Sequence, residues 1–271
     1  MAKRQNFQSK GARLGLVSQG THEDDDSAFR RSNKRSKQTM RSERGASSLY
    51  LPFSRGYTKL SDAAKAFNFD FRDRIVLDIG SSTGGFTKYA LDHGAKKVIA
   101  VEKGTNQMVE PLRHNKRIDL HEKTDIFKVR TIDFSSTTQS LRGLEEAPSE
   151  DRYERCSEEG NSIVRIEVPD VIVADVSFIS LKKVLSYAKD NLTNGKTNFL
   201  VMLKPQFEAT PNQLLNGVIK NHKIRRTIIM NFEQWLKENG FLIVNKRDNQ
   251  LKGKNGNIER FYWLQFIASR E

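Results

Sequence analysis

Acids and glycines stand where two apolar runs end, in the segment LDIGSSTGGFTKYALDHGAKKVIAVEKG at residues 77–104. The residues at these ends are Asp78, Gly80, Gly84, Gly85 and Glu102. Glycine has no side chain and lets the backbone approach a ligand closely. An acid at the end of the second run can accept hydrogen bonds from both hydroxyls of a ribose. The spacing therefore predicts a site for a nucleoside-type cofactor, with an ordinary strand–helix turn as the alternative.

The glycine spacing favours S-adenosylmethionine over a dinucleotide. A dinucleotide site has the fingerprint G-x-G-x-x-G, whereas the turn here reads D-x-G-x-x-x-G-G. An ionised Asp78 would also repel a pyrophosphate. S-adenosylmethionine carries no phosphate, and its ammonium group can pair with a carboxylate. We therefore expect Asp78 near the amino-acid end of this cofactor and Glu102 near its ribose.

Alternating strands and helices must position these residues. Apolar runs predict strands at RIVLDIG, KKVIAVE, IDLHEK, VPDVIVADVSF, NFLVMLK, GFLIVNKR and IERFYWLQFI. Helical patterns are GGFTKYALDHG, TNQMVEPLRHN, SLKKVLSYAKDNL and HKIRRTIIMNFEQWLKENG, with Ile224, Ile228, Phe232 and Trp235 expected on the inner face of the last. This alternation predicts an α/β fold, Rossmann-like, with a mostly parallel seven-stranded sheet and helices on both faces. The last two strands leave no room for a crossover helix, so the last strand should be antiparallel.

The composition indicates a folded domain with additional polar segments. The net charge indicates a polyanionic partner. Residues 1–48 show little apolar periodicity and are expected to form a basic, disordered tail before a domain at 49–271. Residues 128–167 are rich in Ser, Glu and Arg and are expected to form an inserted loop. The formal net charge of +13 favours nucleic acid as a partner. An anionic membrane surface and simple solubility charge are the alternatives.

Several classes of protein are disfavoured. The single cysteine, Cys156, permits no internal disulfide, and the five histidines are scattered, so we expect no metal site. No apolar run is long enough to span a membrane. The opening residues MAKRQNFQSK lack the apolar core of a signal peptide. These features predict a cytoplasmic protein that does not bind a membrane.

Three motifs carry a resemblance to a known family. The glycine segment, ADVSFISLKKVL and LKPQFE together resemble the TlyA (hemolysin A-like) ribosomal RNA 2′-O-methyltransferases, relatives of the FtsJ/RrmJ enzymes. The resemblance runs from SRGYTKL at 54–60 to GKNGNIERFYWL at 253–264. It implies a SAM-dependent methyltransferase fold and transfer of a methyl group to a ribose 2′-hydroxyl. It also implies RNA as the partner, either ribosomal RNA or a ribosomal subunit.

The resemblance implies functional residues as well. The catalytic set would be Lys59, Asp175, Lys204 and Glu259. The cofactor contacts would be Asp78, Gly80, Ser82, Gly84, Gly85, Glu102, Asp125 and Asp175. The chain departs from the family pattern in two of its motifs, since Asp125 replaces the usual Asn and Tyr57 replaces the second glycine of SRGG. The small N-terminal RNA-binding domain of the family is not recognisable in this sequence.

The residue types suggest how such a set would act. Methylation of a ribose hydroxyl requires alignment with the methyl donor and removal of one proton. We expect Lys204 to act as the base or to steer the proton, with Asp175 orienting its ammonium group. Lys59 and Glu259 would complete the charge network. Because carboxylates raise the pKa of a neighbouring lysine, orientation of the hydroxyl without deprotonation is an alternative.

Other functions remain open from the sequence. A non-catalytic RNA-binding or ribosome-assembly factor on the same fold is one alternative, and a methyltransferase acting on another RNA or atom is a second. A structural ion pair between Asp175 and Lys204 is the simplest non-catalytic interpretation of those two residues. Phe207 is a candidate for stacking on a base. Candidates for phosphate contacts are Arg55, Lys182, Lys183, Arg225 and Arg226.

Overall fold

A computed structural model describes residues 54–132, 163–253 and 255–266. The predicted tail at 1–48 and the central part of the predicted loop, 133–162, lie outside the described residues. The helices are α1 (Arg55–Phe67), α2 (Gly85–Asp92), α3 (Glu110–Arg113), α4 (Leu181–Asn191) and α5 (His222–Glu238). The strands are β1 (Ile75–Ile79), β2 (Lys97–Val101), β3 (Ile118–His121), β4 (Val129–Thr131), β5 (Val164–Ile166), β6 (Val171–Ala174), β7 (Asn198–Leu203), β8 (Phe241–Asp248) and β9 (Arg260–Phe266).

The main sheet has seven strands in the order β3-β2-β1-β6-β7-β9-β8. The pairs from β3 to β7 are parallel, whereas β9 is antiparallel to both β7 and β8. The predicted fold class and the antiparallel last strand are therefore confirmed. The physical reason is the short link between β8 and β9, which permits a hairpin but no crossover helix.

The two faces of the sheet are covered by different helices, as the period of two along a strand requires. Val76 and Val173 belong to the apolar cluster that contains the buried side chains of α1 and α2. Leu77 and Ile172 belong to the cluster that contains those of α4 and α5. The helices therefore enclose the sheet on both sides, and its strand ends remain available to form a site.

Helix α1 was not predicted from the sequence, although it carries one of the candidate catalytic residues. It begins after Ser54, whose side-chain oxygen accepts a hydrogen bond from the Tyr57 amide at 3.2 Å. It ends at Asn68, which adopts a left-handed conformation with φ of 51°. Its buried positions include Leu60, Ala63, Ala64 and Phe67, and Lys59 is buried beside them. The helix thus delivers a lysine to the interior of the domain.

A second, two-stranded sheet lies at the two ends of the segment that was expected to be a loop. Strands β4 and β5 pair in parallel, with Val129 opposite Val164. The Tyr187 hydroxyl of α4 donates to the carbonyl oxygens of Phe127 and Val129, at 2.7 and 2.8 Å. Strands of three residues are too short for periodicity to reveal. The expectation of an inserted loop therefore applies only to residues between these strands.

The inner face of α5 differs slightly from the prediction. Ile228 and Phe232 are buried as expected, but the other buried positions are Ile229 and Leu236. Ile224 and Trp235 are only half-buried. Within the described ranges, no helix has the length and apolar character that a membrane span requires.

Candidate active site

Four candidate residues follow directly after strands of the main sheet. Gly80 follows β1, Glu102 follows β2, Asp175 follows β6 and Lys204 follows β7. Because these four strands run in parallel, their carboxyl ends meet at one edge of the sheet, where ligands bind in open α/β folds. A side chain at Gly80 would come within 3.3 Å of the Asp175 carbonyl oxygen, so the two strand ends are in close contact.

Lys204 and Asp175 form an ion pair at this edge. The Lys204 Nζ atom lies 2.6 Å from Asp175 Oδ1, outside the angular range of a hydrogen bond. The same Nζ atom donates a hydrogen bond to Ser177 Oγ at 2.8 Å. An ammonium group has three donors, so this hydrogen bond leaves capacity for a ligand oxygen. The two side chains are 11% and 23% exposed, so the pair is partly accessible to solvent.

Lys59 and Glu259 form a second and more deeply buried pair. Lys59 Nζ donates to Glu259 Oε2 at 2.5 Å, and both residues are buried. The register of β7 with β9 sets Leu203 opposite Arg260. Extended by one residue, this register sets Lys204 opposite Glu259. The structure therefore brings the four residues of the predicted catalytic set together as two adjacent lysine–carboxylate pairs.

Asp78 lies beneath the glycine turn as a fully buried acid. Its Oδ2 atom accepts a hydrogen bond from Thr87 Oγ1 at 2.6 Å, whereas Oδ1 has no hydrogen-bond partner. Burial raises the pKa of this carboxyl to about 7, and the nearby negative charge of Asp175 also acts to raise it. A buried oxygen without a partner is costly, and an approaching cationic group would offset that cost.

The glycines of the turn are required by contacts within the protein. Gly84 has φ of +87°, and a side chain there would come within 2.5 Å of Leu112 Cδ1. A side chain at Gly85 would meet Ser54 and the amide nitrogen of Tyr57 at the start of α1. The sequence interpretation assigned these glycines to close approach of a ligand. The contacts show that Gly84 and Gly85 also allow α1 and α3 to pack against the turn.

Glu102 joins the glycine turn to the end of β2. Its Oε2 atom accepts from the Ser82 amide at 2.9 Å, and Oε1 accepts from the Gly104 amide at 2.7 Å. Ser82 is exposed and has φ of 46°, a left-handed conformation that is uncommon outside glycine. Oε1 also accepts from Gln107 Nε2 at 3.4 Å, whereas Oε2 retains capacity for a second donor. Glu102 is therefore held in place while remaining able to bind hydroxyl groups.

Asp125 lies on the loop that follows β3. Its Oδ1 atom accepts from the Phe127 amide at 3.2 Å, at the start of a short 3-10 helix. Its Oδ2 atom lies 3.0 Å from Lys103 Nζ, and the aspartate side chain is 32% exposed. Lys103 follows Glu102 in the chain. Asp125 is therefore placed beside the end of β2 and has a structural role of its own.

Phe178, which the sequence analysis did not select, packs against Phe207 beside Lys204. Its side chain is 92% exposed, and its φ of 63° is an outlier for a bulky residue. Its ring centroid lies 5.2 Å from that of Phe207, whose ring lies 5.9 Å from Lys204 Nζ. Strained residues concentrate at functional sites. The signal in the sequence was an aromatic residue three positions after Asp175, but only the structure shows that it faces solvent.

Comparisons with known proteins place the chain among methyltransferases. The model of the FtsJ-like methyltransferase family matches residues 52–266. Hemolysin A of Brachyspira hyodysenteriae is 34% identical over 215 residues, which cover 79% of this chain and 76% of that protein. The 23S rRNA (cytidine-2′-O)-methyltransferase TlyA of Campylobacter jejuni is 34% identical over 212 residues, covering 78% and 69% respectively. A solved structure from Streptococcus thermophilus, provisionally called a hemolysin, superposes with a TM-score of 0.65 at 30% identity, covering 82% of this chain and 70% of that one.

Proposed function

The chain belongs to the FtsJ-like methyltransferase family, and we propose that it transfers a methyl group from S-adenosylmethionine to a ribose 2′-hydroxyl of ribosomal RNA. The observation that carries this proposal is the adjacency of the Lys204–Asp175 and Lys59–Glu259 pairs at the edge of the sheet that holds the glycine turn. A lysine–carboxylate cluster suits a hydroxyl acceptor, because it can orient the oxygen and steer its proton.

The glycine turn and the neighbouring acids fit the cofactor. When bound, S-adenosylmethionine supplies a methyl group that is activated by the positive charge on its sulfur. The unpartnered Oδ1 atom of Asp78 supports a role in stabilising the cofactor's cationic amino-acid end. Glu102 would accept from the ribose hydroxyls and Asp125 from the adenine amino group. The remaining residues proposed to shape this site are Gly80, Ser82, Gly84, Gly85 and Asp175.

The catalytic set would act mainly by orienting the ribose hydroxyl and by neutralising charge around it. The ammonium group of Lys204 would donate to the ribose oxygen and hold it in line with the methyl donor. Asp175 fixes the position of that ammonium group through their 2.6 Å contact. The buried ion pair of Lys59 and Glu259 would form the side of the active site next to Lys204. The hydroxyl proton would pass to the carboxylate of Asp175 and from there to water, as the oxygen–methyl bond forms and the sulfur–methyl bond of the cofactor breaks.

Phe178 is proposed to stack on the base of the target nucleotide. Exposed aromatic rings are the usual platforms for unstacked RNA bases. The neighbouring Phe207, which the sequence analysis selected for this role, would support the ring of Phe178 through their 5.2 Å contact. The two rings lie next to Lys204, so a stacked base would place its own ribose near the ammonium group.

Ribosomal RNA as the partner, and the cytoplasm as the location, are proposals that rest on the relatives. The TlyA protein of Mycobacterium tuberculosis is named a 16S/23S rRNA (cytidine-2′-O)-methyltransferase and is 32% identical over 218 residues. The net charge of +13 supports a polyanionic partner.

The decisive experiment is incubation of the protein with radiolabelled S-adenosylmethionine and either deproteinised ribosomal RNA or ribosomal subunits, followed by nucleoside mapping. We expect label in a 2′-O-methylated nucleoside. Lys204→Ala should lose at least a hundredfold in rate. Lys196→Ala is the matched control, since Lys196 is an exposed lysine at the opposite edge of the sheet.

Three outcomes would contradict the proposal. Label in a base would overturn the assignment to ribose. Full activity of Lys204→Ala would remove the proposed role of that lysine. Tight RNA binding without any label transfer would instead favour the non-catalytic RNA-binding factor.

A further inference from the structure

A cavity of about 290 Å³ adjoins the candidate active site. Pro205, which follows Lys204, and Asn257, two residues before Glu259, both line it. Two residues of extended chain span about 7 Å, so the cavity lies next to the paired lysines and acids. Its volume is at the lower end of the range for ligand pockets, which is too large for a single water and suits a small group with its hydration.

The lining of the cavity is basic. It includes Lys220, His222, Arg225 and Lys252. Among the residues that the structure describes, no Asp or Glu lines the cavity, and the ammonium groups of Lys220 and Lys252 form no ion pair. Arg55 lies at the same place, since its guanidinium group donates to the Lys252 carbonyl oxygen at 2.6 Å. The cavity therefore concentrates positive charge that the protein itself does not fully neutralise.

The cavity is preformed because side chains tie its walls together. Asn257 accepts from the Ile219 amide at 3.1 Å and donates to the Gly217 carbonyl oxygen at 3.0 Å, which joins two loops. Arg225 donates to the Ile258 carbonyl oxygen at 3.2 Å and pairs with Asp248 at 2.8 Å. These contacts hold the loops in place and do not involve the ammonium groups of Lys220 and Lys252. A ligand would meet a largely prepared site, which reduces the entropic cost of binding.

We propose that this cavity binds a phosphodiester group of the RNA strand next to the methylated ribose. The proposal rests on the proposed function and names a contact that sets the register of the substrate. S-adenosylmethionine has no phosphate, and the acids proposed to hold it lie on β1 and after β2, β3 and β6, whereas the cavity adjoins the end of β7 and the start of β9. A cationic cavity without carboxylates in its lining matches the chemistry of an RNA phosphate.

The test compares two double variants that remove the same charge. Lys220→Gln/Lys252→Gln alters the cavity. Lys116→Gln/Lys196→Gln alters two exposed lysines that precede β3 and β7 at the opposite edge of the sheet. Binding of deproteinised ribosomal RNA is measured without cofactor over a range of salt concentrations. KM for RNA and kcat are then measured with S-adenosylmethionine present.

The cavity variant should bind RNA about tenfold more weakly than the control at roughly 0.1 M salt, and the slope of log K against log salt should fall by about one to two. Its KM for RNA should rise while its affinity for S-adenosylmethionine stays unchanged. RNA binding within twofold of the control variant would overturn the proposal. If neither variant nor the parent transfers methyl groups, the proposed function fails, yet the binding comparison still decides the role of the cavity.

Discussion

Lys59 and Glu259 are separated by 200 residues of sequence, yet Lys59 Nζ donates to Glu259 Oε2 at 2.5 Å. Their side chains are only 9% and 4% exposed. The pair joins helix α1 to the start of β9, next to the position of Lys204. This ion pair contributes to the stability of the fold and to the geometry of the site, because a buried charge without its partner is strongly destabilising.

Breaking this pair should destabilise the protein. We expect Lys59→Met and Glu259→Leu each to lower the free energy of unfolding by about 3 kcal/mol, because either change leaves one buried charge alone. The double variant Lys59→Met/Glu259→Leu should recover much of that loss while remaining inactive in methyl transfer. Urea denaturation and the labelled-cofactor assay measure both effects. Single variants with losses below about 0.5 kcal/mol would show that the charges reach water.

The buried carboxyl of Asp78 should make stability depend on pH. Its pKa is raised to about 7 by burial, so the folded protein holds a proton that the unfolded chain releases from about pH 4 upward. The stabilisation from that proton is complete below pH 4 and is lost as the pH rises to 7. In the Asp78→Asn variant the side chain at this position is neutral at every pH in the range. Relative to this variant, the parent should lose on the order of 3 kcal/mol of unfolding free energy between pH 4.5 and 7.5.

Urea denaturation of both proteins at several pH values checks this prediction for Asp78. The comparison at each pH cancels the contributions of the other titrating groups. A difference between parent and Asp78→Asn that stays constant across the range would contradict the assigned pKa shift.

The glycine turn should tolerate no side chain at Gly84. Gly84→Ala places a methyl group 2.5 Å from Leu112 Cδ1 in a backbone with φ of +87°. Gly195→Ala is the matched control, because Gly195 has φ of +82° and open space around the added group. The control should cost about 1 to 2 kcal/mol, from backbone strain alone. Gly84→Ala should cost about 1 to 3 kcal/mol more and weaken cofactor binding.

Thermal unfolding and equilibrium dialysis with S-adenosylmethionine measure the two effects of Gly84→Ala. Equal losses of stability in the Gly84 and Gly195 variants would mean that Leu112 moves aside at no cost, and that packing against α3 does not constrain the turn.

The Phe178→Ala change should lower activity on RNA and leave the free energy of unfolding nearly unchanged. Phe178→Ala removes a ring that is 92% exposed, so the free energy of unfolding should change by less than about 0.5 kcal/mol. Loss of a stacked base costs about 1 to 3 kcal/mol, which predicts at least a fivefold fall in kcat/KM for RNA. Met230→Ala, at an exposed apolar residue on α5, is the control. A Phe178→Ala enzyme with unchanged RNA kinetics would exclude the stacking role.

Local patterns were sufficient to predict the seven strands of the main sheet and most of the helices. The apolar run of Ile75–Ile79 and the spaced Leu181, Val184, Leu185 and Ala188 of α4 report directly which positions are buried. Helix α1 was missed because only Leu60 and Phe67 are large apolar residues among its buried positions, which include two alanines, a lysine and a serine and so give a weak apolar signal. The strands β4 and β5 were missed because three residues cannot display a period.

The sequence by itself determined the alternation of strands and helices, and with it the placement of Asp175 and Lys204 at strand ends. The tertiary structure alone decided that Lys59 meets Glu259, that Gly84 faces Leu112 and that Lys220 and Lys252 share a cavity. The physical reason is that periodicity records which side of an element is buried. It carries no information about which distant segment covers that side, because the order of strands in the sheet and the packing of loops choose the partner.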